Sequence, residues 1–411
     1  MRSFISRMVR RSAVVLGVGS LMVVTACSGQ TGPGASSTAA SPTAGTAADG
    51  CVTDYAAGRD YFPDKSEVKY AKNFSLTYHD SYQVVTVEQP APGQPGEKYV
   101  FYRCGTPVPE LTGDLAGAQA VSVPIKSLFS GSTTHLPLLD ELGQLSVLKG
   151  VTDGTYVTNP EVRRMIAEKQ VIQYASNQAA DSEVVISSRP DVVLTEGTDD
   201  PAYPVIRQAG IAVVANSEWL EQDPLGRAEW IKFVGALTGQ EAQATKVFDQ
   251  IELDYQNVAA KAKEAGAPVT VLPGQMYQGN WWMPAGDLYV ANLIADANGT
   301  YGWSDVRQNS SLMLSLEDVL AKSRDADVWI MTEDVKTLED VAKSDPRYAE
   351  FKAFQQGNVW SNNAKVTPEG GNDYWERGVT RPDLVLADMV KILHPDALPD
   401  REFEFYRQVT R

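Results

Sequence analysis

The stretch "EVVISSRPDVVLTE", residues 183–196, resembles "DVLAKSRDADVWIMTE", residues 318–333. Each runs from an acidic residue through an apolar turn to Ser-Arg, an aspartate, a strand-like run and a closing Thr-Glu, and the second copy carries two extra residues. A helix-then-strand unit recurring in the two halves of a chain reads as two related lobes. Both strands end in Thr-Glu, at Thr195-Glu196 and Thr332-Glu333. Ligands of open parallel sheets sit outside the carboxyl ends of strands. Two such edges facing each other make a cleft, with Glu196 a candidate ligand contact.

Outward from the repeat, the pattern supports an α/β class. "AVSVPIKSLF", "SVLKGV" and "GIAVVAN" surround the first copy as β-branched runs, separated by helical stretches near 136–142 and 160–168. "PVTVLPGQ" and "GNVWSNN" surround the second, with helices near 287–297 and 337–343 and a last helix ending near His394. Alternation of this kind predicts parallel sheets with crossover helices. Between the halves, "DPLGRAEWIKFVGALTG" offers Asp223 as N-cap, Pro224 at the first helical position and Gly239 as a stop. A second helix follows, with Ala244, Val247, Phe248, Ile251, Tyr255, Val258 and Ala262 at helical spacing up to Gly266. The organisation expected is a signal segment 1–26, a tether 27–50, a β-rich extension 51–115, a first lobe 116–222, connecting helices 223–266 and a second lobe 267–411.

The first segment has the form of an export signal. Arg2, Arg7, Arg10 and Arg11 precede an uncharged run from Ala13 to Ala26 that ends at Cys27. "VTAC" (24–27) resembles the lipobox of bacterial lipoproteins, in which the cysteine is acylated and becomes the new N-terminus; an ordinary secretory signal is the alternative. Residues 28–50 hold one charge, Asp49, among Gly, Ser, Thr, Ala and Pro, a composition that favours a tether over a packed core. Cys51 and Cys104 then frame the extension, where "NFSLTYHDSYQVVTVE" and "EKYVFYRCGTPVP" read as strands around a His79-Asp80-Ser81 turn. In an exported chain such a pair suggests a disulfide, with free thiols the alternative.

Net charge is −16, spread without acidic blocks, which argues against nucleic acid or an anionic membrane surface as partner. "SGSTTHLPLLDELG" (130–143) lacks the G-x-S-x-G elbow of a serine hydrolase. The chain has three histidines, too few for a His-rich metal set, so we expect no enzyme activity, no protein metal site and no cofactor. The stretch reads as a helix N-terminus with Ser132, Thr133, Thr134 and His135 turned to the cleft; Ser132 or Thr133 as a plain cap is the alternative. In "GQMYQGNWWMPAGD" (274–287), Tyr277, Trp281, Trp282 and Met283 stand among Gly, Gln, Asn and Pro as in a loop. Aromatic faces there suit a flat or partly apolar ligand, and core packing by Trp281 or Trp282 stays open. Asn362, Asn363, Tyr374 and Trp375 are rim candidates, and Arg377 and Arg381 pair either with an anionic chelate or with protein acids.

Taken with "MPAGDLYVANLIADANGTYGW", "SLFSGSTTHLPLLDELGQLSVLKGV", "SSRPDVVLTEG" and the joining helices, residues 118–411 resemble the substrate-binding proteins that serve importers of iron–siderophores, haem and cobalamin. The tail "GGNDYWERGVTRPDLVLADMVKILHPDALPD" resembles a subgroup of substrate-binding lipoproteins. The resemblance implies two Rossmann-like lobes joined by one long helix, and an ABC permease as partner. A ferric siderophore is the expected ligand, with iron arriving only inside the chelate; cobalamin or haem is the alternative, and an envelope enzyme or structural lipoprotein the reading from another class. A monomer anchored by lipid to the outer face of the cell membrane is expected. In this class an acidic residue on each lobe meets the permease, which motif order places at Asp199 or Asp200 and at Asp287. The resemblance does not cover the extension.

Overall fold

The computed structural model describes residue 47, residues 49–176 and residues 179–411. The signal segment, Cys27 and most of the tether therefore lie outside the described residues. No helix among the described residues is long and apolar enough to cross a membrane.

The aromatic runs after Cys51 form β1 (Phe74–Tyr78), β2 (Tyr82–Val87) and β3 (Glu97–Arg103), an antiparallel meander. His79 is a turn residue as expected: its N–H donates to the Tyr82 carbonyl at 2.8 Å, and its ring stacks on Tyr82. A fourth strand, β4 (Gln119–Val123), pairs parallel to β3. The run "AVSVPIKSLF" is thus divided, because β5 (Leu128–Ser130) belongs to the next sheet. Pro124 has no N–H to continue a ladder, and the amides of Lys126 and Ser127 turn to the Asp191 carboxylate at 2.6 and 2.9 Å. The extension is consequently no separate body ending at 115. Its Phe74 ring lies 4.7 Å from Trp230, and Phe101 lies 5.9 Å from Phe233, within one core. Cys51 and Cys104 are bonded, and closing a loop of that size contributes roughly 4 kcal/mol in the chain-entropy picture.

The first lobe is built on β5, β6 (Leu148–Val151), β7 (Ile172–Gln173), β10 (Val192–Thr195) and β11 (Ala212–Ala215), all parallel. A small hairpin of β8 (Ala175–Ser176) and β9 (Ala179–Ala180) lies between β7 and β10 in sequence. The sheet order is β11-β10-β5-β6-β7. Counted within the lobe and read from β7, this is third, second, first, fourth, fifth, the Rossmann half-order, whose direction reverses between β5 and β10.

The connecting segment differs from the single helix expected at 224–239. Asp223 does cap the first helix, Pro224–Ala228, and Gly239 ends the second, Ile231–Thr238. Between them Glu229 is fully buried, and its carboxylate accepts N–H bonds from Lys69, Tyr70 and Ala71 and a bond from Lys232 Nζ. Glu221 receives the amides of Lys72 and Asn73 in the same way. Two buried carboxylates thus satisfy the backbone of the extension and bolt it to the connector. The long helix, Glu241–Glu264, buries Ala244, Phe248, Ile251, Tyr255 and Ala262 as the spacing predicts, and packs on Pro382–Leu393 of the second lobe.

The second lobe carries β12 (Val269–Pro273), β15 (Gly299–Thr300), β17 (Val328–Met331) and β18 (Val359–Ser361) in parallel, with β19 (Arg407–Gln408) antiparallel at the edge. Its order, β15-β12-β17-β18-β19, is second, first, third, fourth, fifth, and reverses between β12 and β17. Beside it, β13 (Met276–Tyr277), β14 (Asn280–Met283) and β16 (Leu312–Leu314) make a small antiparallel sheet. In both lobes the repeated unit, a helix (Ser182–Ser188 or Leu316–Ser323) leading into β10 or β17, supplies the strand just across the reversal from the lobe's first strand.

Candidate functional site

Each reversal opens a crevice at the carboxyl end of its sheet, and the sequence candidates gather at these two places. In the second lobe Gly274 follows β12 with φ of +90°, and a Cβ there would lie 2.1 Å from the Trp282 carbonyl. Only glycine lets the β13–β14 hairpin close so near the strand end. Gln275 locks the two sides of the reversal together: its Nε2 donates to Thr332 Oγ1 at 2.7 Å, and Thr332 N–H donates to its Oε1 at 3.0 Å.

The segment expected as a loop is therefore a hairpin. Gln278 and Gly279, both at positive φ, form its two-residue turn. Period two then separates the aromatics. Trp281 and Met283 face inward and are 0% exposed, with the Trp281 ring 5.6 Å from both Trp329 and Phe351 and its Nε1–H donated to the Pro273 carbonyl. These two candidates belong to the core. Trp282 (42% exposed) and Tyr277 (59% exposed) face outward, their rings 6.2 Å apart edge to face, beside Met313 on β16.

Behind Trp282 and Tyr277 lies a cavity of about 300 Å³ whose wall includes Gly274, Gln275, Thr332, Tyr374 and Tyr406. Tyr374 is buried but reaches this wall, whereas Trp375 is exposed beside it with rings 4.7 Å apart. Burial pushes the Tyr374 and Tyr406 hydroxyls up from their ordinary range, so both are neutral hydrogen-bonding groups.

The first lobe's edge is of another kind. Gly131 follows β5, and the Glu196 carboxylate lies against it, with Oε2 2.7 Å from where a Cβ would stand. Glu196 Oε1 accepts from Thr198, and its backbone carbonyl accepts from Trp219 Nε1 at 2.7 Å, which holds the half-exposed Trp219 at the rim. The helix His135–Glu141 does not offer free amides there. The His135 and Leu136 N–H groups donate to the carbonyls of Ser132 and Thr133, and Pro137 has none. Thr134, rather than Ser132 or Thr133, is the N-cap residue, without a side-chain cap bond. Ser132 Oγ and Thr134 Oγ1 pair with each other at 2.9 Å. His135 is fully buried, with Nδ1 3.0 Å from Ser130 Oγ. Burial lowers its pKa to about 3, opposed by the Asn216 backbone, so the ring is neutral.

Several buried polar atoms at these edges have no protein hydrogen-bond partner: both amide atoms of Asn216 and of Asn362, Glu196 Oε2, Glu218 Oε2 and Arg227 Nε. Buried polar groups are ordinarily satisfied, so their concentration here points to contact with a polar ligand or with ordered water. Burial raises the Glu218 pKa, opposed by Arg227 and the Thr134 hydroxyl. Arg227 bridges the lobes, its guanidinium 4.3 Å over the Tyr289 ring and Nη2 donated to the Trp219 carbonyl. Asn216, Glu218, Trp219, Arg227 and Gln275 were not singled out in the sequence. The position of Trp219 just after the strand-like "GIAVVAN" was the one available signal.

A larger cavity, about 540 Å³, lies where Asp140, Thr158 and Asn159 meet Lys365, Asp373 and Arg377. Its polar groups bind one another. Glu376 accepts the amides of Thr158 and Asn159 at 2.7 and 2.9 Å, and Arg377 pairs with Asp373 and Glu404. Arg381 likewise pairs with Asp383 and Glu141. Both arginines are thus held by protein carboxylates. This cavity is a seam between the lobes.

The docking candidates divide. Asp199 is exposed, but Asp200 accepts the amides of Ala180 and Ala202 at 2.8 Å and holds local structure, and Asp287 has a buried carboxylate oxygen. No group of three or more His, Cys, Asp or Glu among the described residues is placed to hold a metal ion.

A sequence profile described as periplasmic binding protein matches residues 128–365. The chain is 28% identical over 360 residues to an uncharacterized lipoprotein of Methanocaldococcus jannaschii, covering 82% of this chain and 84% of that one. A second lipoprotein of that organism is 24% identical, covering 83% and 86%. Among solved structures, a possible iron-binding (periplasmic solute-binding) protein of Staphylococcus epidermidis is similar at TM-score 0.53 and 17% identity, over 66% of this chain and 98% of that one. A periplasmic binding protein of Veillonella parvula reaches TM-score 0.53 at 14% identity, over 79% and 98%. At these identities the structures attest the two-lobed fold alone.

Proposed function

The chain belongs to the periplasmic binding protein family, and from that premise we propose that the solute it captures for an ABC importer is a ferric siderophore. The family is one of extracytoplasmic solute-binding proteins, not enzymes, so a small-molecule ligand and a permease are the partners that follow. The observation that carries the siderophore reading is the pairing of an aromatic rim, Tyr277 and Trp282, with a cavity at the second lobe's reversal. Iron held inside a chelator needs no His or carboxylate set from the protein; it needs apolar faces for the chelator body and polar groups for its donors. No cofactor of the protein's own enters this reading.

The lipoprotein relatives support anchoring through acylated Cys27, and a monomer suffices because both edges come from one chain. Acyl chains contribute roughly 0.8 kcal/mol per buried CH₂, so Cys27→Ser should move the protein from the membrane to the soluble fraction. Retention on the membrane by that variant would contradict the anchor. Asp199 on the first lobe is the docking residue that its exposure supports. The ligand test is a fluorescence titration with ferric hydroxamate, ferric catecholate, haemin and cyanocobalamin. Saturable binding of a ferric chelate supports the reading, and binding of haemin or cyanocobalamin alone refutes it.

A further inference from the structure

We infer that the chelate taken at this site carries no net negative charge: a neutral or cationic ferric trihydroxamate matches it, and a tris-catecholate or carboxylate chelate does not. The inference rests on the ligand site proposed above and adds the electrostatics of its walls.

Every residue lining the aromatic cavity is uncharged. An anion there would give up its hydration without gaining a charged partner, which is costly. Across the boundary the first lobe presents two acids, Glu196 and Glu218, against Arg227. Arg227 has one nitrogen on the Trp219 carbonyl, its plane on Tyr289 and its Nε without a protein partner, and it is a single cation set against those two carboxylates. The cations nearest in sequence to the wall residue Tyr374, Arg377 and Arg381, are held by carboxylates, as is Lys365. The whole chain adds a field of the same sign, at −16, which slows the approach of anions and speeds that of cations.

The hydrogen-bonding pattern agrees with the charge. Asn216 and Asn362, at the ends of β11 and β18, each hold a donor and an acceptor without a protein partner, and Glu196 holds a further acceptor. Hydroxamate chelators of peptide type carry both amide N–H and carbonyl groups, which answer such a mixed set. A tris-catecholate shell presents acceptor oxygens and negative charge outward, and would meet Glu196 and Glu218 with repulsion.

The experiment titrates the intrinsic fluorescence of the full chain at about 50 mM salt, where screening is weak. The ligands are ferrichrome (neutral), ferrioxamine B (cationic) and ferric enterobactin (trianionic). The first two should bind at least about tenfold tighter than the third, on the scale of one uncompensated charge contact. The advantage of the cation should shrink at about 500 mM salt. Equal or tighter binding of ferric enterobactin overturns the inference. If no ferric chelate binds, the siderophore reading fails by itself. The charge inference is then decided by cyanocobalamin against dianionic haemin, and tighter haemin binding overturns it. Glu196→Gln combined with Glu218→Gln should narrow the gap between neutral and anionic ligands, and an unchanged gap would remove those two carboxylates as its cause.

Discussion

The two reversals of strand order begin alike and end differently. In both, a lobe's first strand closes on a glycine, Gly131 or Gly274, and the repeated strand across the crevice closes on Thr-Glu. In the first lobe Thr195 is buried, Glu196 fills the crevice over Gly131, and the edge is polar. In the second, Thr332 is exposed and clamped by Gln275, and a hairpin laid over Gly274 makes the edge aromatic. The same local fold thus yields a polar wall and an apolar wall. The chemistry comes from what is laid over the glycine, while the strand order fixes only where that chemistry sits.

The sharpest way to break this comparison is to substitute the two glycines. Gly274→Ala puts a methyl 2.1 Å from a backbone carbonyl at a left-handed φ, a clash that only displacement of the hairpin relieves. Ligand binding should fall by about a hundredfold or more, the scale of losing a whole aromatic wall. Gly131→Ala meets first a carboxylate oxygen at 2.7 Å, the end of a side chain that can swing aside, so its effect on affinity should be the smaller. Calorimetric titration of both variants with the ligand that the fluorescence panel identifies checks the order, and equal losses would contradict it.

Next in size is the neighbouring pair of tryptophans. Trp281→Ala empties a core site and should destabilise the protein by about 3–5 kcal/mol, seen as a lower midpoint in thermal unfolding. Trp282→Ala should leave that midpoint nearly unchanged and weaken binding by about tenfold to a hundredfold. A stability loss from Trp282→Ala as large as that from Trp281→Ala would mean that the hairpin does not alternate as described.

That pair also shows what could be read in the sequence. The repeat at 183–196 and 318–333 disclosed two lobes and the strands that border the two reversals, because the helix-then-strand pattern is local. The outward face of "NWWM" was not legible, since alternation becomes visible only once the segment is known to be a strand. Its turn, Gln278-Gly279, lacks the Asn or Asp that marks such hairpins, and β16, which completes the sheet, is distant in sequence. The union of the extension with the connector was not legible for a related reason. It depends on Glu229 meeting Lys69–Ala71, a contact across more than a third of the chain that no periodicity announces. His135 looked like a cleft residue because the segment before it is polar; only the three-dimensional arrangement puts the ring behind Ser130.

The smallest effects come from pH and contrast the polar edge with the seam. His135 is held below its ordinary pKa by burial, at about 3. The unfolded chain therefore takes up a proton as pH falls below 6.5 while the native state does not, and stability drops by about 1.4 kcal/mol per pH unit. Glu376 is held above its ordinary value, at about 7, mainly by burial. There the native state keeps a proton that the unfolded chain releases, so stability falls as pH rises from 4.5 towards 7, at a similar slope. Over pH 4.5–6.5 the two slopes oppose each other, so denaturant unfolding should show His135→Asn steepening the loss of stability as pH rises and Glu376→Gln steepening the loss as pH falls. No difference between Glu376→Gln and the parent would contradict the description of the seam.

The central claim, that the ligand lies at the aromatic reversal and not in the larger seam cavity, is tested most directly by locating iron. Crystals grown with ferrichrome and measured at the iron absorption edge should show one anomalous peak beside the Trp282 ring, on the side of the crevice shared with Glu196 and Trp219. A peak between Asp140 and Asp373, in the seam, would contradict the account.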